Sequence, residues 1–151
     1  MERYEAAVNQ FMAGYRCSQA VLSVFAGDYG MDEELARKIS LPLAGGSGVG
    51  GECGAVSGAY LVLGLKYGFA HQGDPEGFQK IMTKIKAFVE RFKSLHKETD
   101  CSRLINLDIF SEKGYKTFVE NNVKTVFCTR FVGDAVKILE EILAEECGHE
   151  V

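Results

Sequence analysis

A chain of 151 residues with 46% apolar side chains is sized for one domain around a single core. Its net charge of −4, with no block of lysines and arginines, argues against a nucleic-acid partner. It has no Trp and only Pro42 and Pro75, so helices can run with few interruptions.

Residues 2–13 are predicted as a helix, because Tyr4, Val8, Phe11 and Met12 fall on one stripe, and Gly14 stops it. A second helix spans about 16–29, with Ala20, Val21, Val24 and Phe25 on its apolar side and Gly30 as its stop. Asp32 is placed to cap a short helix through Ile39, with Glu33 and Glu34 where the helix dipole favours acids. Pro42 then ends regular structure. Five glycines fall between Ala44 and Cys53, a density that predicts a loop. Beyond it, Ala55, Val56, Ala59, Tyr60, Val62 and Leu63 fit a helix buried on most sides. Gly54, Gly58 and Gly64 on that helix point to close approach by a neighbouring backbone.

Asp74-Pro75-Glu76 is a helix start, and Phe78, Ile81, Met82, Ile85, Phe88, Val89 and Phe92 repeat behind it at core spacing. Thr99 or Asp100 can cap a short turn holding Cys101 and Leu104. Ser111 opens a short helix with Tyr115, Phe118 and Val119, and a last helix covers about 126–146. No sustained two-residue alternation marks a strand. The expected fold is all-α: a single-domain bundle of about six helices, with a glycine-rich loop before a buried central helix.

The longest apolar run, about 55–65, is too short and too interrupted by glycine to span a bilayer, so no membrane insertion is expected. The first residues carry acids early and lack a secretory apolar segment, which points to a cytoplasmic location. There, cysteines read first as metal ligands or redox groups. The chain has five, an odd number that cannot pair fully within one chain. Cys17, Cys53, Cys101 and Cys128 share a setting: each lies at or near a predicted helix start. Free N–H groups and the helix dipole stabilise a thiolate there, the form that acts as nucleophile and ligand. Against this stands the ordinary tendency of scattered cysteines to pack in cores. Cys147, in the charged tail EECGHE, reads as incidental.

Three further groups complete the inventory. His71, His96 and His149 read as solvated, and none has a spacing that compels a metal site. Glu52 could serve Cys53 as an outer partner or proton acceptor, with a surface role the simpler reading. The glycine segment lacks the Lys-Ser/Thr ending of a phosphate-binding loop.

The layout of Cys17, then GGECGAVSGAYLVLGLKYG around Cys53, DCSRLINLD around Cys101, and Cys128 in FCTRFVGDAVKILEEIL resembles the C_GCAxxG_C_C family of redox-active proteins. The resemblance runs from about Tyr15 to Leu143. The family pattern reads Gly-Cys-Ala where this chain reads Cys53-Gly54-Ala55. The resemblance implies that Cys17, Cys53, Cys101 and Cys128 are the signature cysteines and that Cys147 is not. Part of some multi-haem cytochromes is similar too, but no CxxCH is present for haem attachment.

The resulting expectation is a redox protein in which the four cysteines hold an iron–sulfur cluster or zinc, or cycle between dithiol and disulfide. Gly50, Gly51 and Gly54 would lie beside the cofactor. Its partner would be a redox protein or a transporter, and a homodimer is plausible for a small helical domain. The competing expectation is a helical adaptor, zinc-stapled or metal-free, that binds a transporter or another protein. A third is an anion-binding or small-molecule-binding module built on the glycine loop and the helix start at Cys53.

Overall fold

The structure is a computed structural model and describes residues 1–147. It is all-helical, with eight α-helices: α1 (Arg3–Met12), α2 (Cys17–Ala26), α3 (Glu33–Ser40), α4 (Gly54–Tyr67), α5 (Pro75–His96), α6 (Cys101–Ile105), α7 (Glu112–Glu120) and α8 (Thr129–Cys147). The described residues hold eight helices where about six were expected: the short turn read at Cys101 is a helix of its own, α6, and the short helix read from Ser111 is present as α7. Asn106 ends α6 in the left-handed conformation, and the Ser111 hydroxyl opens α7 by accepting from the Gly114 N–H. Other predicted caps are present: Asp32 accepts from the Leu35 N–H and Asp74 from the Gly77 N–H. His149 lies outside the described residues.

α4 is the central helix. Ala55, Val56, Ala59, Val62 and Leu63 are fully buried, in line with the sequence reading. α2 lies along it through Ala20, Val21, Leu22 and Phe25, and α8 packs through Val132, Ala135, Val136 and Leu139. Gly58 explains how closely α2 approaches: a Cβ there would sit 3.0 Å from the Ser18 carbonyl oxygen. α5 contributes less than its pattern suggests. Phe88 and Phe92 are buried, whereas Phe78 and Met82 are exposed, because the first half of this 22-residue helix runs past the edge of the core.

The glycine-rich segment is not an open loop. Residues Gly46–Gly50 wind into a wide single turn of π type, closed by the Gly51 N–H donating to the Gly46 carbonyl at 3.0 Å. The φ of Gly46 is +66°, and a Cβ on it would run into the backbone of Gly51. The expected loop is instead this closed turn, in which Ser47 at φ +57° shares the left-handed region with Gly46, Gly48 and Gly50, and the glycines supply most of the freedom it needs.

His96 also departs from expectation. Its side chain is 8% exposed, its Nε2 meets Asp134 Oδ2 on α8 at 2.8 Å, and its ring packs on Phe92 and Phe131. It pins the end of α5 to α8 rather than facing solvent. His71, by contrast, is exposed.

Phe88→Ala removes a fully buried ring at the α4–α5 contact, where Tyr60 meets it edge-on. The variant is expected to lose about 3–5 kcal/mol of stability, read as a lower midpoint in chemical denaturation.

Candidate functional site

Three local devices bring distant cysteines together. The first is at the start of α2. The Arg16 N–H donates to Gln19 Oε1, and the Ser18 hydroxyl donates to the Ser40 carbonyl at 2.7 Å, so Cys17 is the first residue of a helix end tied to α3. The second is at the start of α4, where Cys53 is the N-cap and its carbonyl accepts the first turns' N–H groups. The third joins Cys53 to Cys101. Glu52 and Asp100 form an isolated antiparallel bridge, in which the Cys53 N–H donates to the Thr99 carbonyl at 2.7 Å and the Cys101 N–H to the Gly51 carbonyl at 2.6 Å. Cys53 and Cys101 flank the bridging pair, so the two-residue period of extended chain puts them on the same side. The Ser102 hydroxyl adds a bond to the Gly50 carbonyl at 2.9 Å.

Cys17, Cys53, Cys101 and Cys128 all line one cavity of about 410 Å³. They are free thiols. Three sit at helix starts as expected. Cys128 lies near the start of the last helix as expected, directly before α8, but it ends a π-type turn, Lys124–Cys128, that runs straight into that helix, so no free helix end faces it.

The rest of the lining is apolar. Phe11 and Phe131 come from α1 and α8, Leu104 and Ile105 from α6, Ile109 and Phe110 from the turn after it, and Tyr115 and Phe118 from α7. Arg16 and Lys124 are the charged lining residues, and no carboxylate lines the cavity among the described residues. Of the three glycines expected beside a cofactor, Gly54 lines the cavity. Gly50 and Gly51 instead hold α6 through their carbonyls. Glu52 accepts a short hydrogen bond from the Tyr60 hydroxyl, and burial together with that carboxylate pushes the Tyr60 phenol well up.

Electrostatics overturn the expected stabilised thiolates. Burial raises all four thiols, and it is the largest cause at each. Cys101 is pushed up to about 11 and Cys128 to about 12, with the charge of Cys17 adding to both. Cys53 lies well above the ordinary range, raised next by Cys17. Lys124 offsets part of the rise at Cys128. Cys17 is raised as well, with burial the largest cause, and the nearby backbone N–H groups of Gly45, Ser18, Cys17 and Gly54 pull it part of the way down. Gly54 makes that possible, since a Cβ there would collide with the Cys17 sulfur. Cys53, Cys101 and Cys128 in turn feel the charge of Cys17.

A zinc ion or a cluster needs thiolates grouped at bonding distance. Among the described residues, no three His, Cys, Asp or Glu side chains are grouped to hold a metal ion. No helix among the described residues is long and apolar enough to cross a membrane.

A small helical domain with dispersed cysteines gathered around one apolar cavity defines a cysteine-centred class of protein. The model of the C_GCAxxG_C_C family, described as "Putative redox-active protein", matches residues 15–142, and the chain belongs to that family. All four lining cysteines fall inside the match and Cys147 outside it. No curated protein and no solved structure matches the chain.

In reduced, metal-free protein, Cys101 and Cys128 are expected to resist alkylation at neutral pH. Moving a thiol from 9.0 to about 11 leaves about 100-fold less thiolate. The folded thiols hold their protons more tightly than unfolded ones. Their contribution to stability is therefore complete below about pH 9 and lost as pH climbs through 11 and 12. Alkylation rates and denaturation midpoints across that range check both statements.

Proposed function

We propose that this protein is a thiol redox carrier whose working groups are Cys17, Cys53, Cys101 and Cys128. The observation that supports the reading is the convergence of four thiols, from four separate segments, on one cavity. Cys17 is assigned the attacking role, because backbone N–H groups offset part of the rise that burial causes at its thiol. Its thiolate attacks one sulfur of an oxidised partner's disulfide and releases the other as a thiolate, which takes up the proton. A second cavity thiol then loses its proton and attacks the mixed disulfide at Cys17, forming an internal disulfide and releasing the second partner thiol. Two thiols are oxidised and one disulfide is reduced to two thiols, so the step balances. The raised thiols suit the resting state: Cys53 is buried, the other three are partly buried, and all stay neutral until a substrate reaches them.

Treating the reduced protein with a small disulfide under anaerobic conditions is expected to remove two titratable thiols per chain and lower the mass by two hydrogens. Cys17→Ser is expected to abolish that pair formation while leaving the helical circular dichroism intact. Retention of all thiols by the wild type would sink the reading. So would stoichiometric iron or zinc in anaerobically purified protein, with thiols freed only on metal removal.

A further inference from the structure

The cavity walls do more than cover sulfur. α7 buries only Gly114, and none of its side chains joins the buried core. Its aromatic residues Tyr115 and Phe118 face the cavity instead. With Phe11, Phe110 and Phe131 they line about 410 Å³, a volume typical of small-molecule sites, and Phe110 and Tyr115 stay more than half exposed. An apolar helix face turned onto open volume is a face for a ligand to cover. The charge pattern narrows the ligand further. Arg16 and Lys124 are both positive, and no carboxylate among the described residues opposes them. The floor is four thiols, a source of reducing equivalents.

An occupant suited to this cavity is flat and apolar, carries oxygen atoms that accept from cations, and takes up two electrons. A quinone has all three properties. A disulfide has only the last. We propose that the cavity binds a quinone as the oxidant of its thiols. The proposal rests on the thiol-redox reading above and names the substrate class of the same site. Cys17 and one of the other three thiols lose their hydrogens, and a sulfur–sulfur bond forms. Both electrons and both protons pass to the quinone, whose two carbonyl oxygens become the hydroxyls of the quinol. Arg16 and Lys124 stabilise the negative charge that develops on oxygen before protonation.

The test uses the reduced full chain under anaerobic conditions with tetramethylbenzoquinone, whose ring carbons are all substituted so that thiols do not add to it. The expected result is loss of quinone absorbance, one quinone per two thiols, at a rate that saturates with quinone concentration. Hydroxyethyl disulfide serves as the parallel arm. If the disulfide oxidises a thiol pair and the quinone does not, or reacts without saturation, the quinone proposal falls and the thiol reading stands. If neither oxidant removes a thiol pair, both fall. Phe118→Ala strips an aromatic wall and is expected to slow the quinone reaction roughly tenfold more than the disulfide reaction. Equal slowing of the two would also overturn the proposal.

Discussion

The arrangement depends above all on the close approach of α2 to α4. Gly58 lets the Ser18 carbonyl come within contact of the α4 backbone, and Gly54, one turn earlier, leaves room for the Cys17 sulfur. A larger side chain at either position would part the two helices. The same contact that buries Val21, Leu22 and Val56 therefore also sets Cys17 against the start of α4. Core and site are not separate constructions: the sulfur lies where the two helices are closest, and the core supplies the rigidity that keeps it there.

From that fixed edge the other thiols are recruited by backbone pairing. The bridge between Glu52 and Asp100 makes two hydrogen bonds across nearly fifty residues of sequence, each involving a cysteine N–H. Neither bond uses the sulfur. Both thiols stay free to face the cavity while their backbones are locked. Cys128 arrives differently, on the last residue of a π-type turn, where the extra residue per turn swings it off the register of α8. Wide turns thus occur on both sides of the site, at Gly46–Gly50 and at Lys124–Cys128.

Much of the helical skeleton was legible because its signals are local. Asp32, Asp74 and Ser111 announce helix starts through side chains that reach only three residues ahead. The buried character of α4 was legible from an apolar pattern with no polar face. The backbone bridge was not, because a single pair of residues carries no alternation to detect. The His96–Asp134 pair was hidden for a related reason: its partner lies on another helix, and a histidine at a charged helix end looks solvated in isolation. The four cysteines were legible as a set through their family layout and their helix-start setting. Their protonation was not, because it turns on depth of burial.

That last point separates two forces the sequence could not weigh against each other. A helix start lowers a thiol by a modest fraction of an elementary charge, whereas removal from water acts on the whole charge. At Cys17 four N–H groups oppose burial, and burial still dominates. Cys53, an N-cap with fewer donors and Cys17 as its neighbour, rises further. The difference between the two is the useful quantity. It sets Cys17 apart from Cys53, with backbone N–H groups opposing the rise at one and the charge of a second sulfur adding to it at the other. Loss of water raises every thiol, and the backbone N–H groups beside Cys17 offset part of that rise at one of them.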